Sequence, residues 1–201
     1  MKSGQTGLIT EELRRGLEWL VQHFKTAEPR TVEAGCDKPP VIVFTDGACE
    51  EDGTTVGGVL YVPGRAPECF GAKLSEETTA VWKTKLDQTQ VIGQAEIFPL
   101  LIARLTWGER LAGRRVIYFV DNESARIGLV RAYSPVLPSL SIILSCLHWD
   151  YAHNSQGWYA RVPSYSNISD GPSRLVRPAP SSGIITVAPI FPDGHIPELV
   201  L

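Results

Sequence analysis

Four carboxylates in this sequence stand where an acid can do chemistry. The apolar run VIVF at 41–44 is followed by Thr45, Asp46 and Gly47, and the run VIYFV at 116–120 is followed by Asp121 and Asn122. Glu96 sits in QAEIFPLLIARL and Asp170 in SNISDGPSRL, each at the start of a helix-like pattern. Taken singly, every one has an ordinary role. Asp46 and Asp121 read as turn residues, Glu96 as a solvated helix residue, and Asp170 as an acid favoured by a helix dipole. Together they have another. Acids at the ends of neighbouring strands about 4.8 Å apart, joined by two more from helices, raise each other's pKa unless a cation joins them. Oxygen-only ligands select Mg²⁺ or Mn²⁺ over zinc. Two such ions about 3.5–4 Å apart suit in-line phosphodiester hydrolysis.

Elements must bring these acids together. LITEELRRGLEWLVQHF places Leu13, Leu17, Leu20, Val21 and Phe24 at helical spacing, with Thr10 as N-cap. This helix breaks at the Pro-containing linker TAEPRTVEAGCDKPP, and residues 1–37 are set apart from a main domain at 38–175. That domain opens with strands at 41–46, 56–63 and 67–74, joined by short links as an antiparallel meander. A helix follows over 94–111, with Pro99 assigned to its first turns, where proline is tolerated. Then come a strand at 115–121, helices from Glu123 and from Leu137, a strand at 158–162, and a last helix beginning near Ser166 or Asn167. The order β-β-β-α-β-α-α-β-α predicts an α/β fold: a mixed five-stranded sheet with helices on both faces. The Pro/Ser/Gly-bearing residues 176–201 read as an extended surface tail. In such sheets functional groups gather outside the carboxyl ends of parallel strands, which is where Asp46 and Asp121 fall.

Bulk composition bounds the rest. The 201 residues are 43% hydrophobic and 20% charged, with a formal net charge of −3. That is enough chain for one real core and excludes a generally basic nucleic-acid binder, though not a local basic face. Cys36, Cys49, Cys69 and Cys146 are scattered without a Cys-x-x-Cys pair, so zinc and disulfide frameworks are disfavoured. His148 and His153, five apart, fall on different helix faces and read as half-buried. No apolar run is long enough to span a membrane and the N-terminus lacks a signal-peptide core, so a cytoplasmic or nuclear protein is expected.

The segments FTDGA, QAEIFPLL, YFVDN and SNISDGPSR, taken in that order over about residues 41–175, resemble the ribonuclease H domain of retroelement reverse transcriptases. The Ser-Asn-x-x-Asp-x-x-Ser-Arg ending looks closer to tyrosine-recombinase-type or related retroelements than to cellular ribonuclease H. The resemblance implies a ribonuclease H-like fold and cleavage of the RNA strand of an RNA–DNA hybrid with two Mg²⁺ or Mn²⁺ ions. It implies Asp46, Glu96, Asp121 and Asp170 as the metal-binding catalytic set. Asn167 would fix the last helix and touch substrate, and backbone at Gly47 and Ala48, with Gln94 and Asn122, would read ribose 2′-hydroxyls. Arg126, Arg131, Arg161 and Arg174 are the available cations, Arg174 being the one assigned to substrate. The N-terminal helix and linker are similar to the segment joining polymerase to ribonuclease H, which makes a reverse transcriptase polymerase domain the expected protein partner.

The departures are specific. ARVPSYSNISD lacks the histidine loop of many family members, and no Lys/Trp-rich basic protrusion is present. Trp82, with Lys83 and Lys85, reads as a hydrophobic plug more than a nucleic-acid contact. Three other functions compete. One is another two-metal nuclease on the same fold, resolvase-like or a 3′–5′ exonuclease; proofreading-type exonucleases usually have a second acid two residues after the first, where this chain has Ala48. A non-catalytic ribonuclease H-like scaffold would have no use for four clustered acids, which cost stability without metal. A Ser or Cys hydrolase finds no Gly-x-Ser-x-Gly.

Overall fold

A computed structural model of the chain describes residues 11–27, 29, 38–51, 53–86 and 91–192. Contacts group the chain into two units, Met1–Gly35 and Cys36–Leu201. In the first, helix α1 spans Glu11–Thr26, and its Leu17, Leu20, Val21 and Phe24 are exposed. Thr10 and linker residues 30–37 lie outside the described residues.

The second unit is built on one six-stranded sheet, ordered β5-β4-β1-β2-β3-β6. β1 (Val41–Glu50), β2 (Gly53–Tyr61) and β3 (Glu68–Lys73) form the antiparallel meander. β4 (Arg115–Val120) pairs parallel with β1, and β5 (Gln156–Arg161) parallel with β4. The registers explain the sequence pattern. Val41, Val43, Val56, Leu60, Phe70, Val116, Tyr118 and Val120 share one face and are almost wholly buried, because α3 (Ile92–Thr106) and α6 (Leu137–Ala152) pack there. Ile42, Phe44, Ile117 and Phe119 alternate onto the opposite face and are half-buried. There Phe44 stacks on Phe119 at 4.7 Å. The short helix α7 (Asp170–Ser173) covers one end of that second face.

The architecture is the expected mixed sheet with helices on both faces, with local corrections. An additional helix, α2 (Glu76–Leu86), precedes α3. It buries Trp82, which meets Phe98 edge-on at 5.4 Å and so acts as a plug. The 94–111 helix is two helices, α3 and α4 (Gly108–Leu111), and α3 starts at Ile92. Pro99 is therefore interior rather than in the first turns. The last helix has four residues and starts at Asp170, not near Asn167, with Leu175 in the left-handed region at φ 60° just after it. Part of the presumed tail is structured: β6 (Ile185–Thr186) pairs parallel with β3 as the sixth strand, and Phe191 reaches Phe98. Residues 193–201 lie outside the described residues. His148 and His153 are exposed rather than half-buried. Among the described residues no helix is long and apolar enough to cross a membrane.

One buried polar knot ties the layers. Arg104, fully buried on α3, donates to both oxygens of Asp150 on α6 at 2.9 and 2.8 Å, to Tyr159 Oη on β5 at 2.9 Å and to the Leu100 carbonyl. Its guanidinium lies 4.3 Å from the centre of the Tyr118 ring. Removing one partner strands a buried charge, which costs far more than replacing the pair. Asp150→Ala is expected to lower stability by about 3–5 kcal/mol in urea unfolding. Arg104→Met combined with Asp150→Leu is expected to lose less than half as much.

Candidate active site

The parallel pairing of β1 with β4 ends at Phe44 and Phe119. Beyond it the strands part: β1 runs on into its hairpin with β2, while β4 stops at Val120. Asp46 stands two residues past the last pair on one strand and Asp121 two past it on the other, so alternation puts both on the same face. Asp46 is thus inside a strand rather than at its tip; the strand end expected there is the end of its parallel pairing.

Glu96 arrives on α3 from the other face, and it reaches the same spot because α3 presses against β1 at Gly47. A Cβ on Gly47 would lie 2.1 Å from the Ala95 carbonyl oxygen and 2.9 Å from the Glu96 nitrogen, so only glycine fits. Pro99 bears on the same place. With no N–H, it leaves the Ala95 carbonyl without its i+4 helical donor, and that carbonyl is the one facing Gly47.

One carboxylate oxygen each from Asp46, Glu96 and Asp121 lies within 4.8 Å of the others. Desolvation by burial, followed by the charges of Asp46 and Asp121, pushes Glu96 up to about 8. The Asn122 side chain and the Gly47 N–H act against that rise. Burial likewise raises Asp46; Asp121 and Asp170 add to the rise, while hydrogen bonds from Ser173 and Gly47 oppose it. Glu96 Oε2 and Asp121 Oδ1 are buried with no hydrogen-bond partner. A cation would satisfy two orphaned acceptors among three crowded carboxyl groups, and the all-oxygen donor set fits Mg²⁺ or Mn²⁺.

The fourth acid stands apart. Asp170 is exposed, accepts from Arg174 Nε at 3.0 Å, and is not one of the three that converge. Arg174 also reaches Glu50 at 2.5 Å, so it ties α7 to the β1 hairpin. Asn167 is 5% exposed, donates to the Thr45 carbonyl at 3.3 Å and accepts from Ser169 Oγ at 2.6 Å. It latches the approach to α7 onto β1, as expected of a residue that fixes the last helix. Gln94 is also buried and donates to Ser139 Oγ at 2.8 Å. Asn122 caps α5 (Glu123–Arg131) by accepting from Ala125 N at 3.0 Å. Gln94 and Asn122 both line a cavity of about 630 Å³. Ala48 is buried. Of the four arginines named, Arg126 is held by Glu123 and Arg174 by Glu50 and Asp170.

Sequence reasoning passed over Ser173, whose Oγ donates to Asp46 Oδ2 at 2.5 Å, and the strand glycines Gly57 and Gly71 beneath it. The signal was available: glycine inside a strand marks close approach of another backbone.

No protein-family model matches the sequence, and no curated protein does. Solved structures do match. RNase H1 from the halophilic archaeon Halobacterium salinarum NRC-1 superposes with a TM-score of 0.51 at 16% identity, covering 69% of this chain and 97% of that one. The N-terminal RNase H domain of Rv2228c from Mycobacterium tuberculosis gives 0.49 at 14% identity, over 68% and 92% of the two chains. LC11-RNase H1 in complex with an RNA/DNA hybrid gives 0.48 at 17%, over 67% and 94%. The chain has a ribonuclease H-like fold.

Without metal, folded Glu96 keeps its proton up to about pH 8, whereas the unfolded chain releases it near 4.5. The folded state then binds the extra proton, and stability falls as pH rises across that window. Thermal unfolding in chelator is expected to show a loss on the order of 3–5 kcal/mol from this group at the alkaline end. Glu96→Gln should flatten that slope. Mg²⁺ or Mn²⁺ should raise the melting temperature more at pH 8 than at pH 5.

Proposed function

We propose that this chain is a metal-dependent endoribonuclease of the ribonuclease H type, cutting the RNA strand of RNA–DNA hybrids. The observation that carries the reading is the convergence of Asp46, Glu96 and Asp121, with two orphaned oxygens, where β1 and β4 part. A fold likeness alone would support a scaffold equally well. Buried, unpaired acids cost stability, and a non-catalytic module has no reason to keep them.

In this reading Asp46, Glu96 and Asp121 hold the ions, and Asp170 joins them from α7 by exchanging its contact with Arg174. A pair of Mg²⁺ or Mn²⁺ ions, when bound, supplies stabilisation of the phosphate's developing charge and a water of lowered pKa. Asn122 does two jobs: its side-chain oxygen caps α5, and its side chain hydrogen-bonds Glu96. The Gly47–Ala48 backbone, with Gln94 and Asn122 beside the cavity, is the candidate surface for reading ribose 2′-hydroxyls. Arg126 and Arg174 are engaged by acids, which leaves Arg131, beside the same cavity, and the exposed Arg161 as the named arginines for phosphate contacts, the contacts that dominate affinity. A partner domain, such as a reverse transcriptase polymerase, would add further phosphate contacts to these two. Descent from a retroelement rests on the FTDGA…YFVDN…SNISDGPSR motif set.

Strand-labelled cleavage tests the activity, comparing an RNA–DNA hybrid with duplex RNA and duplex DNA in Mg²⁺, in Mn²⁺ and in chelator. Only the RNA strand of the hybrid should be cut, and chelator should abolish cutting. Asp121→Asn should lower the rate by at least about a hundredfold. Tight metal binding without cutting would favour a domain that depends on its polymerase partner.

A further inference from the structure

We propose that Ser173 is a positioning residue for the metal site: its hydroxyl holds Oδ2 of Asp46 and so fixes how that carboxylate is presented to the ion. The inference rests on the nuclease reading above and deepens it.

Asp46, Gly57 and Gly71 are consecutive neighbours in one row across β1, β2 and β3, so they share the face that α7 covers. A Cβ on Gly57 would fall 2.2 Å from the Ser173 nitrogen, and one on Gly71 would fall 2.3 Å from the Pro172 carbonyl oxygen. Two strands are thus cleared of side chains for the same dipeptide, and the α7 backbone rests directly on theirs. A turn that only covered the end of the sheet would be served by side chains of ordinary size. The clearance instead brings a serine backbone within one side chain's reach of Asp46.

The hydroxyl of Ser173 is fully buried and lies 2.5 Å from Asp46 Oδ2 and 2.9 Å from the Asp170 carbonyl. It has one proton, and the shorter, charge-assisted contact with Asp46 takes it. Glu96 and Asp121 each keep an oxygen with no partner, whereas Asp46 Oδ2 is engaged. Fixing a ligand carboxylate through its second oxygen is the way outer hydrogen bonds set ligand orientation, and losing such a partner typically costs about 10–100-fold in metal affinity. Arg174, the next residue, closes the seat by bridging Asp170 and Glu50.

The test is a Mn²⁺ titration by calorimetry on the chelator-stripped 201-residue chain, read alongside melting temperature in chelator. Ser173→Ala is expected to weaken Mn²⁺ binding about 10–100-fold while the metal-free protein stays folded. In an Asp46→Asn background the same substitution should change Mn²⁺ affinity by less than about twofold, because the hydroxyl acts through that carboxylate. Gly57→Ala, which lifts α7 and leaves the Ser173 side chain intact, should reproduce the loss if it folds. The inference is overturned if Ser173→Ala binds Mn²⁺ within about twofold of wild type, or if it loses equally in both backgrounds. Absence of Mn²⁺ binding by the wild-type chain would overturn the metal-site reading itself, and this inference with it.

Discussion

Three carboxyl groups held within 4.8 Å of one another repel, and water that would otherwise solvate them is largely excluded. Everything around them reads as a way of enforcing that approach. The strands are parallel up to Phe44 and Phe119 and then part, which delivers two aspartates to one edge without a side chain between them. The helix carrying Glu96 is brought onto β1 by a glycine and held at its far end by the buried Arg104–Asp150 pair. With α3 clamped at Arg104 and seated at Gly47, the backbone that carries Glu96 is held against β1. Burial, and after it the charges of Asp46 and Asp121, raises the proton affinity of Glu96.

The same logic governs the opposite face. There the sheet offers Asp46 flanked by bare glycine backbone, and a four-residue helix is enough because it touches backbone rather than side chains. A longer helix would cover more of the Phe44–Phe119 stack but is not needed to reach Asp46. Asn167 fixes the entry to this helix and Arg174 its exit, so the polar residues of SNISDGPSR divide between latch, clamp and carboxylate partner.

The strands were legible because Val41, Val43, Val116 and Val120 form β-rich runs that only a buried sheet explains, and Asp46 and Asp121 stood out by interrupting them. Glu96 was found through its place at the front of an apolar helix, and its burial could not be read because a helix-start acid is ordinarily solvated. Helix α2 was missed because its sequence is mixed in polarity and buries chiefly Trp82. The true reach of β1 was hidden because Cys49 and Glu50, past Asp46, are exposed and carry no apolar pattern. Strand β6 is two residues held by backbone hydrogen bonds, Ile185 N to Pro67 O and Val187 N to Cys69 O, both 2.8 Å, and no side-chain periodicity announces it. The exclusion of Asp170 from the trio was equally invisible, since its partner Arg174 looked like a substrate contact.

The segment around β6 has a consequence of a different kind. An outermost strand with unpaired amides is a template for adding a strand from another molecule. Here the chain shields its own: residues 185–187 cap the first part of β3, Ile190 N bonds to Thr106 Oγ1 at 2.9 Å, and Phe191 lies against Phe98. Residues 185–191 therefore cover part of the β3 edge and pack on α3. A chain shortened to Leu175 would keep the four acids of the candidate site and uncover the part of β3 that β6 pairs with.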